Sequence, residues 1–328
     1  MERRQTWIVT GGAGYIGAHV VHRLRDRCDV VVLDDLSTGN RDRLPPDVPL
    51  VEGSVTSRDD LDRVLRRYPA DGVVHLAARK LAGESQRLQE LYEAVNVTGV
   101  RHLLEAMRQA GVGRLLQASS AAVYGGGHAG PVRENDDLRP LNHYGATKLA
   151  AERIIQDASR TGLRALVFRQ FNVIGAGTHP YAADVSPQGL LPSIFRALTT
   201  GPELVVLGRR FATPDGTAVR DYVHVADIAD AFARGVELLS GRSAKARTHS
   251  VVNLGSGRGA SVAEVVDFVG QMIGQAVPRR VGPKRRGDAA EVVAAVEHAA
   301  ERGFECRSSL EDAVVSAWLS WQTYVTNS

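Results

Sequence analysis

The chain has 328 residues, enough to bury a sizeable core, and its 44% hydrophobic and 23% charged residues are typical of a globular protein. The 40 basic and 37 acidic residues leave a net charge of +3, which gives no reason to expect nucleic acid as a partner. No apolar run approaches the ~20 residues that span a membrane, and no signal peptide is visible. The two cysteines, Cys28 and Cys306, fit no metal-ligand or redox spacing. We therefore expect a cytoplasmic protein without a membrane or metal partner.

The first half of the chain alternates short apolar runs with helical patterns. Continuous runs rich in Val, Ile and Leu predict strands, at residues 6–10, 29–34, 49–53, 72–78 and 113–120. Because these runs are continuously apolar, they are typical of a parallel sheet that is covered on both faces. We therefore expect an α/β fold with a doubly wound, Rossmann-type parallel sheet. Ser57 is predicted to cap one of the helices.

The second half of the chain is less regular. Pro, Gly and loop residues are frequent between residues 176 and 220; a late strand follows at 251–255, and Ser261 and Glu264 predict a capping box. We expect residues 1–175 to form the Rossmann domain, with part of 220–255 returning to it. Residues 176–328 should then form mainly a smaller C-terminal lobe that binds the substrate.

A glycine turn lies between the first predicted strand and the first predicted helix. Either Gly12, Gly14 and Gly17, or Gly11, Gly14 and Gly17 in the pattern G-x-x-G-x-x-G, have the spacing of a dinucleotide-binding fingerprint, in the context that this motif requires. Glycine lets the backbone approach a pyrophosphate closely, and the N-terminus of the helix offers free N–H groups to that anion. The turn therefore predicts a bound dinucleotide.

An acidic residue ends the second predicted strand. A carboxylate at Asp34 would accept hydrogen bonds from the ribose hydroxyls and repel a 2′-phosphate, which favours NAD over NADP. Asp35 is an alternative for this role, and Asp34 could also be an ordinary loop acid. Arg41 and Arg43 follow closely enough in the sequence that NADP stays open at this point.

A tyrosine and a lysine four residues apart suggest proton transfer. A phenol has an ordinary pKa of ~10, and a nearby cation lowers it. Tyr144 and Lys148 lie one turn apart on one face of a predicted helix, and Ser120 ends an upstream strand. With a nicotinamide bound nearby, this set could remove the proton of a carbinol while hydride leaves its carbon. We therefore predict Ser120, Tyr144 and Lys148 as the catalytic residues.

Ten motifs in order along the chain support a family resemblance. They are TGGAGYIG, LDDLSTGNR, VVHLAARKLAGES, NVTG, SSAAVYG, YGATK, RQFNVIGA, PDGTAVRDYVHV, NLGSG and RRGD. With these motifs the chain resembles the UDP-glucose (UDP-galactose) 4-epimerase family of extended short-chain dehydrogenases/reductases. The resemblance implies NAD-dependent inversion of a nucleotide sugar through a 4-keto intermediate, and a homodimer formed through helices at 97–110 and 144–160.

The resemblance also implies individual residue roles. Tyr144 would take the proton of the sugar 4-hydroxyl, Lys148 would tune Tyr144 and bind the nicotinamide ribose, and Ser120 would bridge tyrosine and substrate. The cofactor would further be contacted by Tyr15, Ile16, Lys80 and Asn96. The sugar nucleotide would be contacted by Asn172, Arg220, Arg285 and Asp288. For Arg220, a surface salt bridge with Asp221 is the alternative, although a guanidinium suits a diphosphate.

Three positions depart from the family pattern. Ser54 stands where the family often has an acid near adenine, and Gly189 where it usually has an asparagine on the diphosphate. Val292 stands where the family commonly has Tyr or Cys beside the sugar C2 substituent. A smaller residue there would leave space for an N-acetyl group, so we expect UDP-GlcNAc and UDP-GalNAc as further substrates. TDP-sugars stay open as well.

Several other functions have to be weighed. A sugar-nucleotide dehydratase or a decarboxylase of the same superfamily would carry an acid before Val-Tyr-Gly, but this chain has Ala121 and Ala122 there. A net dehydrogenase is an alternative that the sequence leaves open. A non-catalytic NAD-binding sensor is an alternative of another class, which the presence of both Tyr144 and Lys148 disfavours.

Overall fold

The computed structural model describes residues 3–179, 181–199, 201–241 and 249–327. The strands are β1 (Thr6–Thr10), β2 (Asp29–Asp34), β3 (Leu50–Glu52), β4 (Gly72–His75), β5 (Arg114–Ser120), β6 (Arg164–Gln170), β7 (Asn172–Ile174), β8 (Leu204–Leu207), β9 (Val219–His224), β10 (His249–Leu254), β11 (Gly259–Ser261), β12 (Arg279–Gly282) and β13 (Glu291–Val292). The α-helices are α1 (Tyr15–Leu24), α2 (Arg58–Arg67), α3 (Ala82–Ser85), α4 (Gln89–Glu93), α5 (Gly99–Gln109), α6 (His143–Ser159), α7 (Leu190–Thr199), α8 (Val225–Ser240), α9 (Val262–Ile273), α10 (Glu297–Glu301) and α11 (Leu310–Asn327).

Seven parallel strands form the larger sheet, in the order β10-β6-β5-β4-β1-β2-β3. The chain moves outward from β1 in one direction and then in the other, which is the doubly wound arrangement that the sequence predicts. The predicted fold class is therefore confirmed. In such sheets, ligands bind at the carboxyl ends of the strands, where the strand order reverses. Here that point lies between β1 and β4.

The two faces of the larger sheet are both covered, which explains its continuously apolar strands. Val9 and Phe168 belong to a core on the side of α1 and α8. Ile8 and Leu115 belong to a second core on the side of α2, α5 and α6. Neighbouring residues such as Ile8 and Val9 point to opposite faces, because side chains alternate along a strand.

The smaller lobe is built around a second sheet, in which β9 pairs with β7, β11 and β13, and around the pair of β8 and β12. The apolar segment from residue 164 to residue 174 is divided between the two lobes. Its first part, β6, lies in the larger sheet, and β7 pairs with β9. Only Phe171 separates the two strands, and its N–H donates to the carbonyl of Leu254 in the larger sheet.

Both predicted helix caps are present. The Ser57 hydroxyl accepts a hydrogen bond from the Asp60 N–H at the start of α2. Ser261 and Glu264 form the predicted capping box of α9. In each case a side chain satisfies an N–H group that the first turn of a helix leaves free.

Among the helices that the structure describes, we find none with the length and apolar character needed to cross a membrane.

Candidate active site

The glycine turn joins β1 to α1 at the carboxyl edge of the larger sheet. Gly11 has a φ of +71°, and a Cβ there would come within 2.5 Å of the Ala77 nitrogen, so both conformation and space require glycine. A Cβ on Gly17 would lie 2.1 Å from the Gly11 carbonyl oxygen. Gly14 is different, because a Cβ there would have a single neighbour, at 3.3 Å. Gly11 and Gly17 therefore serve the packing of the turn, while Gly14 leaves its surface open.

Helix α1 begins with free N–H groups. Its N-cap residue is Gly14, which offers no side-chain cap, and its first turn contains no acidic residue. The first four N–H groups of a helix have no partner within the helix, and they carry a partial positive charge. Since Tyr15 and Ile16 of this first turn line a cavity, an anion can bind there.

Asp34 lies beside the glycine turn, at the end of β2. One carboxylate oxygen accepts a hydrogen bond from the Ala13 N–H and the other from the Leu36 N–H, each at 2.9 Å. Leu36 has a φ of +55°, a left-handed conformation that the bond to Asp34 helps to hold. Burial raises the pKa of Asp34, while these two bonds lower it. Asp34 therefore fixes the turn after β2 and still faces the cavity.

These features surround a cavity of about 590 Å³ along the carboxyl ends of the strands. Its walls include ten of the predicted and noted residues, namely Gly11, Gly14, Tyr15, Ile16, Gly17, Asp34, Ser54, Lys80, Tyr144 and Lys148. The cavity combines an open glycine, an uncapped helix N-terminus and a carboxylate at the end of the second strand. Those groups fit a dinucleotide with its diphosphate at α1 and a ribose near Asp34. We call this space the cofactor cavity.

Tyr144 lies in the first turn of α6, against the end of β5. Burial raises the pKa of the Tyr144 phenol, and a hydrogen bond with the Ser120 side chain lowers it. The Lys148 ammonium group, one turn further along α6, donates to the Ala118 carbonyl at 2.9 Å. That Lys148 and a bound nicotinamide together lower the pKa of the phenol stays a prediction.

Lys148 lies in a buried environment. Burial lowers its pKa to about 8, and the carboxylate of Glu152, one turn further along α6, acts in the opposite direction. Glu152 is itself buried and forms an ion pair with Arg169 at 2.7 Å. The nearby His75 has a pKa lowered to about 3, mainly by burial and also by Lys148. His75 is therefore neutral at physiological pH, so that of His75 and Lys148 it is Lys148 that can carry a positive charge there.

A second cavity of about 630 Å³ opens in the smaller lobe. Its walls include Asn172, Gly189, Arg220, Arg285 and Asp288. Asp184 and Pro187 line both cavities, so the two spaces adjoin across one loop. We call this second space the substrate cavity.

The guanidinium of Arg220 is fixed in the wall of the substrate cavity. It donates to the carbonyls of Val219 and Ala289, at 2.7 and 2.8 Å. Asp221 points to the other side of β9, where it accepts hydrogen bonds from the N–H groups of Ser256, Gly257 and Ala294. The alternative of a salt bridge between Arg220 and Asp221 does not apply, because neighbouring side chains of a strand point to opposite faces.

Arg285 and Asp288 form an ion pair at the same cavity. The Arg285 Nε donates to both carboxylate oxygens of Asp288 at 3.1 Å. Burial lowers the pKa of Arg220, and Asp288 acts in the opposite direction. The cavity wall as a whole includes three arginines and three acids, namely Arg196, Arg220, Arg285, Asp184, Glu203 and Asp288, so its formal charges cancel. Its suitability for a diphosphate therefore depends on the guanidinium groups of Arg220 and Arg285 and not on a net positive charge.

Known proteins match the chain over nearly its full length. The model of the NAD dependent epimerase/dehydratase family matches residues 7–255. The chain belongs to this family.

Named relatives agree with that assignment. A UDP-glucose 4-epimerase of Azospirillum brasilense is 38% identical over 96% of this chain and 91% of its own length. A UDP-glucose 4-epimerase of Corynebacterium glutamicum is 40% identical over 89% of this chain and 88% of its own length. The crystal structure of the UDP-glucose-4-epimerase from Stenotrophomonas maltophila, with bound NAD and formylated UDP-arabinopyranose, has a TM-score of 0.90 and 33% identity, over 99% of this chain and 100% of that chain. The family resemblance predicted from the motifs is confirmed.

Three predicted residues of this epimerase-family chain, Ser120, Asn96 and Val292, are not part of either cavity wall. Ser120 ends β5, and its hydroxyl oxygen accepts a hydrogen bond from the Ala122 N–H. Asn96 lies in a π-helical turn, and its side chain bonds to the backbone N–H and carbonyl of Arg79 and to the Thr147 hydroxyl. With these bonds Asn96 braces the loop that carries Lys80. Val292 is half-buried in a small apolar cluster that contains Phe171, so it contributes packing there.

Two residues of the cofactor cavity were missed as site residues. Gln170 is 7% exposed, lines the cavity, and has an amide nitrogen without a hydrogen-bond partner among the described residues. It pairs with Ser120 in the ladder between β5 and β6, so its position at a strand end was the available signal. Arg43 also lines the cavity, and the sequence had suggested it only as a residue that could accommodate NADP.

Proposed function

We propose that this protein catalyses the NAD-dependent inversion of a nucleotide sugar at C4, with UDP-glucose and UDP-galactose as its substrates. The observation that carries the proposal is the position of Tyr144 in the wall of the cofactor cavity, where the nearby Ser120 side chain lowers the pKa of its phenol. The adjoining substrate cavity supplies Arg220 and Arg285 for the diphosphate of the substrate. The family membership and the names of the relatives support the same reaction.

When bound, NAD supplies the acceptor for the hydride of C4 and later returns that hydride. The chain's own residues handle the proton. Tyr144 takes it from the sugar 4-hydroxyl, and the Ser120 hydroxyl holds both oxygens in hydrogen-bonding distance. Because burial raises the pKa of the phenol, Tyr144 needs nearby positive charge to act as a base. Lys148 provides a buried ammonium group, and the oxidised nicotinamide adds a second positive charge when bound.

Inversion requires the 4-keto sugar to present its other face before the proton and hydride return. The cavity that adjoins the cofactor site gives the sugar room to turn about its link to the diphosphate. Arg220 is fixed by backbone carbonyls and can hold the diphosphate still during this turn. When hydride returns to C4 and Tyr144 returns its proton to the C4 oxygen, the alcohol is restored and no net redox change occurs.

The test is to incubate the protein separately with UDP-galactose, UDP-GalNAc and TDP-galactose and to follow inversion at C4 by NMR. Tyr144→Phe keeps the ring and removes the ionisable oxygen, so we expect a loss of roughly 10²–10⁴-fold in kcat. Tyr68→Phe, at the end of α2, is the matched control and should retain full activity. Inversion at the wild-type rate by Tyr144→Phe would refute the proposed base.

The same experiment separates the neighbouring functions. Ala121 begins the 3₁₀ turn that follows β5, and Ala122 lies within it, so no acid stands there for the elimination of water. In the NMR spectrum, the product of a dehydratase would lack a hydroxyl, and the product of a decarboxylase would have a changed carbon skeleton. A dehydrogenase would consume added NAD. Turnover of UDP-GalNAc would support the hypothesis based on Val292, and absence of turnover would contradict it.

We further propose a cytoplasmic homodimer in which α5 and α6 form the interface. The two helices are neighbours on one face of the larger sheet, and Leu104 and Ile154 are half-buried there against the underlying core. Light scattering after size-exclusion chromatography should give twice the mass of 35.3 kDa, and a monomeric mass would exclude the dimer.

A further inference from the structure

Arg43 is a buried cation at the edge of the cofactor cavity. It ends the 3₁₀ turn Arg41–Arg43 and is only 7% exposed. Its Nη2 donates to the Ala183 carbonyl at 3.1 Å, on the loop that leads to the substrate cavity. Its Nε is buried and has no hydrogen-bond partner among the described residues. One N–H donor of the guanidinium therefore has a hydrogen-bond partner, and another has none among the described residues.

The charge of Arg43 also lacks a close counterion. None of the ion pairs within 4.0 Å in the described part of the chain includes Arg43. Burial lowers its pKa, while the more distant Asp184 and Tyr15 act in the opposite direction. A buried charge without a partner is costly, and buried polar groups are normally satisfied. This arrangement favours an anionic ligand that arrives from the cavity.

The position of Arg43 indicates which anion that is. The uncapped N-terminus of α1 faces the same cavity as Arg43, and Tyr15, the first residue of α1, also lines that cavity. The Tyr15 hydroxyl donates to the Gly175 carbonyl, so this side of the cavity lies where the two lobes meet. A 2′-phosphate would instead lie at the ribose, where the Asp34 carboxylate would repel it.

We propose that Arg43 binds the diphosphate of the dinucleotide cofactor, opposite the N-terminus of α1, and so completes an anion site that the glycine turn begins. The proposal rests on the proposed use of NAD. It assigns Arg43 two roles, since the same guanidinium binds the anion and holds the loop at Ala183. Cofactor binding and the shape of the substrate loop are thereby connected through one side chain.

The experiment uses the full chain freed of nucleotide and measures the affinities for NAD, ADP-ribose, NADP and adenosine by calorimetry. Arg43→Met should lower the affinity for NAD and for ADP-ribose by roughly 10- to 100-fold, because a charge-assisted hydrogen bond is lost. Adenosine, which has no phosphate, should bind with unchanged affinity. Arg41→Met is the matched control, because Arg41 is exposed on the same turn, and it should behave like the wild type.

Three results would overturn the proposal. The first is an unchanged affinity of Arg43→Met for ADP-ribose. The second is an equal loss for adenosine, which would mean that the variant only disorders the loop. The third is a loss confined to NADP, which would place the anion at the 2′ position. If the wild type binds NAD and Arg43→Met binds it with the same affinity, only the role of Arg43 is refuted. If the wild type binds no NAD, the proposed function is refuted.

A second pair of variants keeps the test valid if Arg43→Met does not fold. Arg43→Lys retains a positive charge and Arg43→Gln retains only a polar group. We expect Arg43→Lys to retain part of the affinity for ADP-ribose and Arg43→Gln to lose it. Equal affinities in the two variants would contradict the assignment of an anion to this side chain.

Discussion

The two cavities offer groups that suit an anion, but groups of different kinds. The cofactor cavity offers backbone, namely an open glycine and the free N–H groups of α1, in positions that the larger sheet fixes. The substrate cavity offers long side chains, Arg220 and Arg285, which are oriented by backbone carbonyls and by Asp288. A diphosphate can therefore be recognised either by the end of a regular element or by guanidinium groups held in place by their neighbours. The first kind of site depends on tight packing, and the second on individual side chains.

If the cofactor cavity depends on packing, substitution of two of its glycines should affect stability and NAD binding differently. In Gly17→Ala the new methyl group meets the Gly11 carbonyl oxygen at 2.1 Å, so we expect a loss of about 2–3 kcal/mol in the free energy of unfolding. In Gly14→Ala the nearest atom is at 3.3 Å, so stability should stay near that of the wild type while the methyl group weakens NAD binding. Urea denaturation and calorimetry with NAD measure the two effects. Equal stability of the two variants would contradict the distinction.

If the substrate cavity depends on side chains, Arg220→Met should leave the fold intact and affect the substrate. We expect KM for UDP-galactose to rise roughly 10- to 100-fold, with a smaller change in kcat, because the lost contact binds the ground state and the transition state alike. Arg210→Met, which removes an exposed arginine of a nearby loop, is the control and should have a normal KM. An unchanged KM in Arg220→Met would show that another group holds the diphosphate.

The smallest predicted effect concerns Lys148, a side chain in the otherwise backbone-rich cofactor cavity. Its pKa of about 8 in the folded protein lies below the ordinary 10.5, so between these values the unfolded chain binds more protons and stability rises with pH. Lys148→Met removes this buried charge. It should therefore be more stable than the wild type by about 1–2 kcal/mol below pH 8, although it would be inactive.

That stability difference should shrink as the pH rises from 8 towards 10.5, where the wild-type lysine becomes neutral in both states. Urea denaturation at several pH values measures it, with Lys80→Met as a control for an exposed lysine of the same cavity. A difference that grows with pH would have the wrong sign and would refute the buried-charge explanation.

The same contrast explains what the sequence could predict. The sheet and the glycine turn follow from local patterns, since continuous apolar strands and glycine spacing each have a direct physical cause. The placement of Arg220 in one cavity with Arg285 and Asp288 required the family resemblance, because Arg220 comes from a separate segment of the chain. The roles of Asn96 and Gln170 depend on which hydrogen-bond partners remain after folding, and no local pattern carries that information. The rise in the pKa of the Tyr144 phenol on burial is not visible in the sequence for the same reason, since the depth of burial is a property of the whole fold.

The single residue between β6 and β7 restricts how the molecule can open. Phe171 is the only link between two strands that are each held in a parallel ladder of a different sheet. A wide hinge rotation of the lobes would have to break the strand-to-strand hydrogen bonds of β6 or of β7. Entry and exit of large ligands should therefore occur through movement of the surface segment around residues 184–187, which borders both cavities, while the two sheets keep their relative orientation.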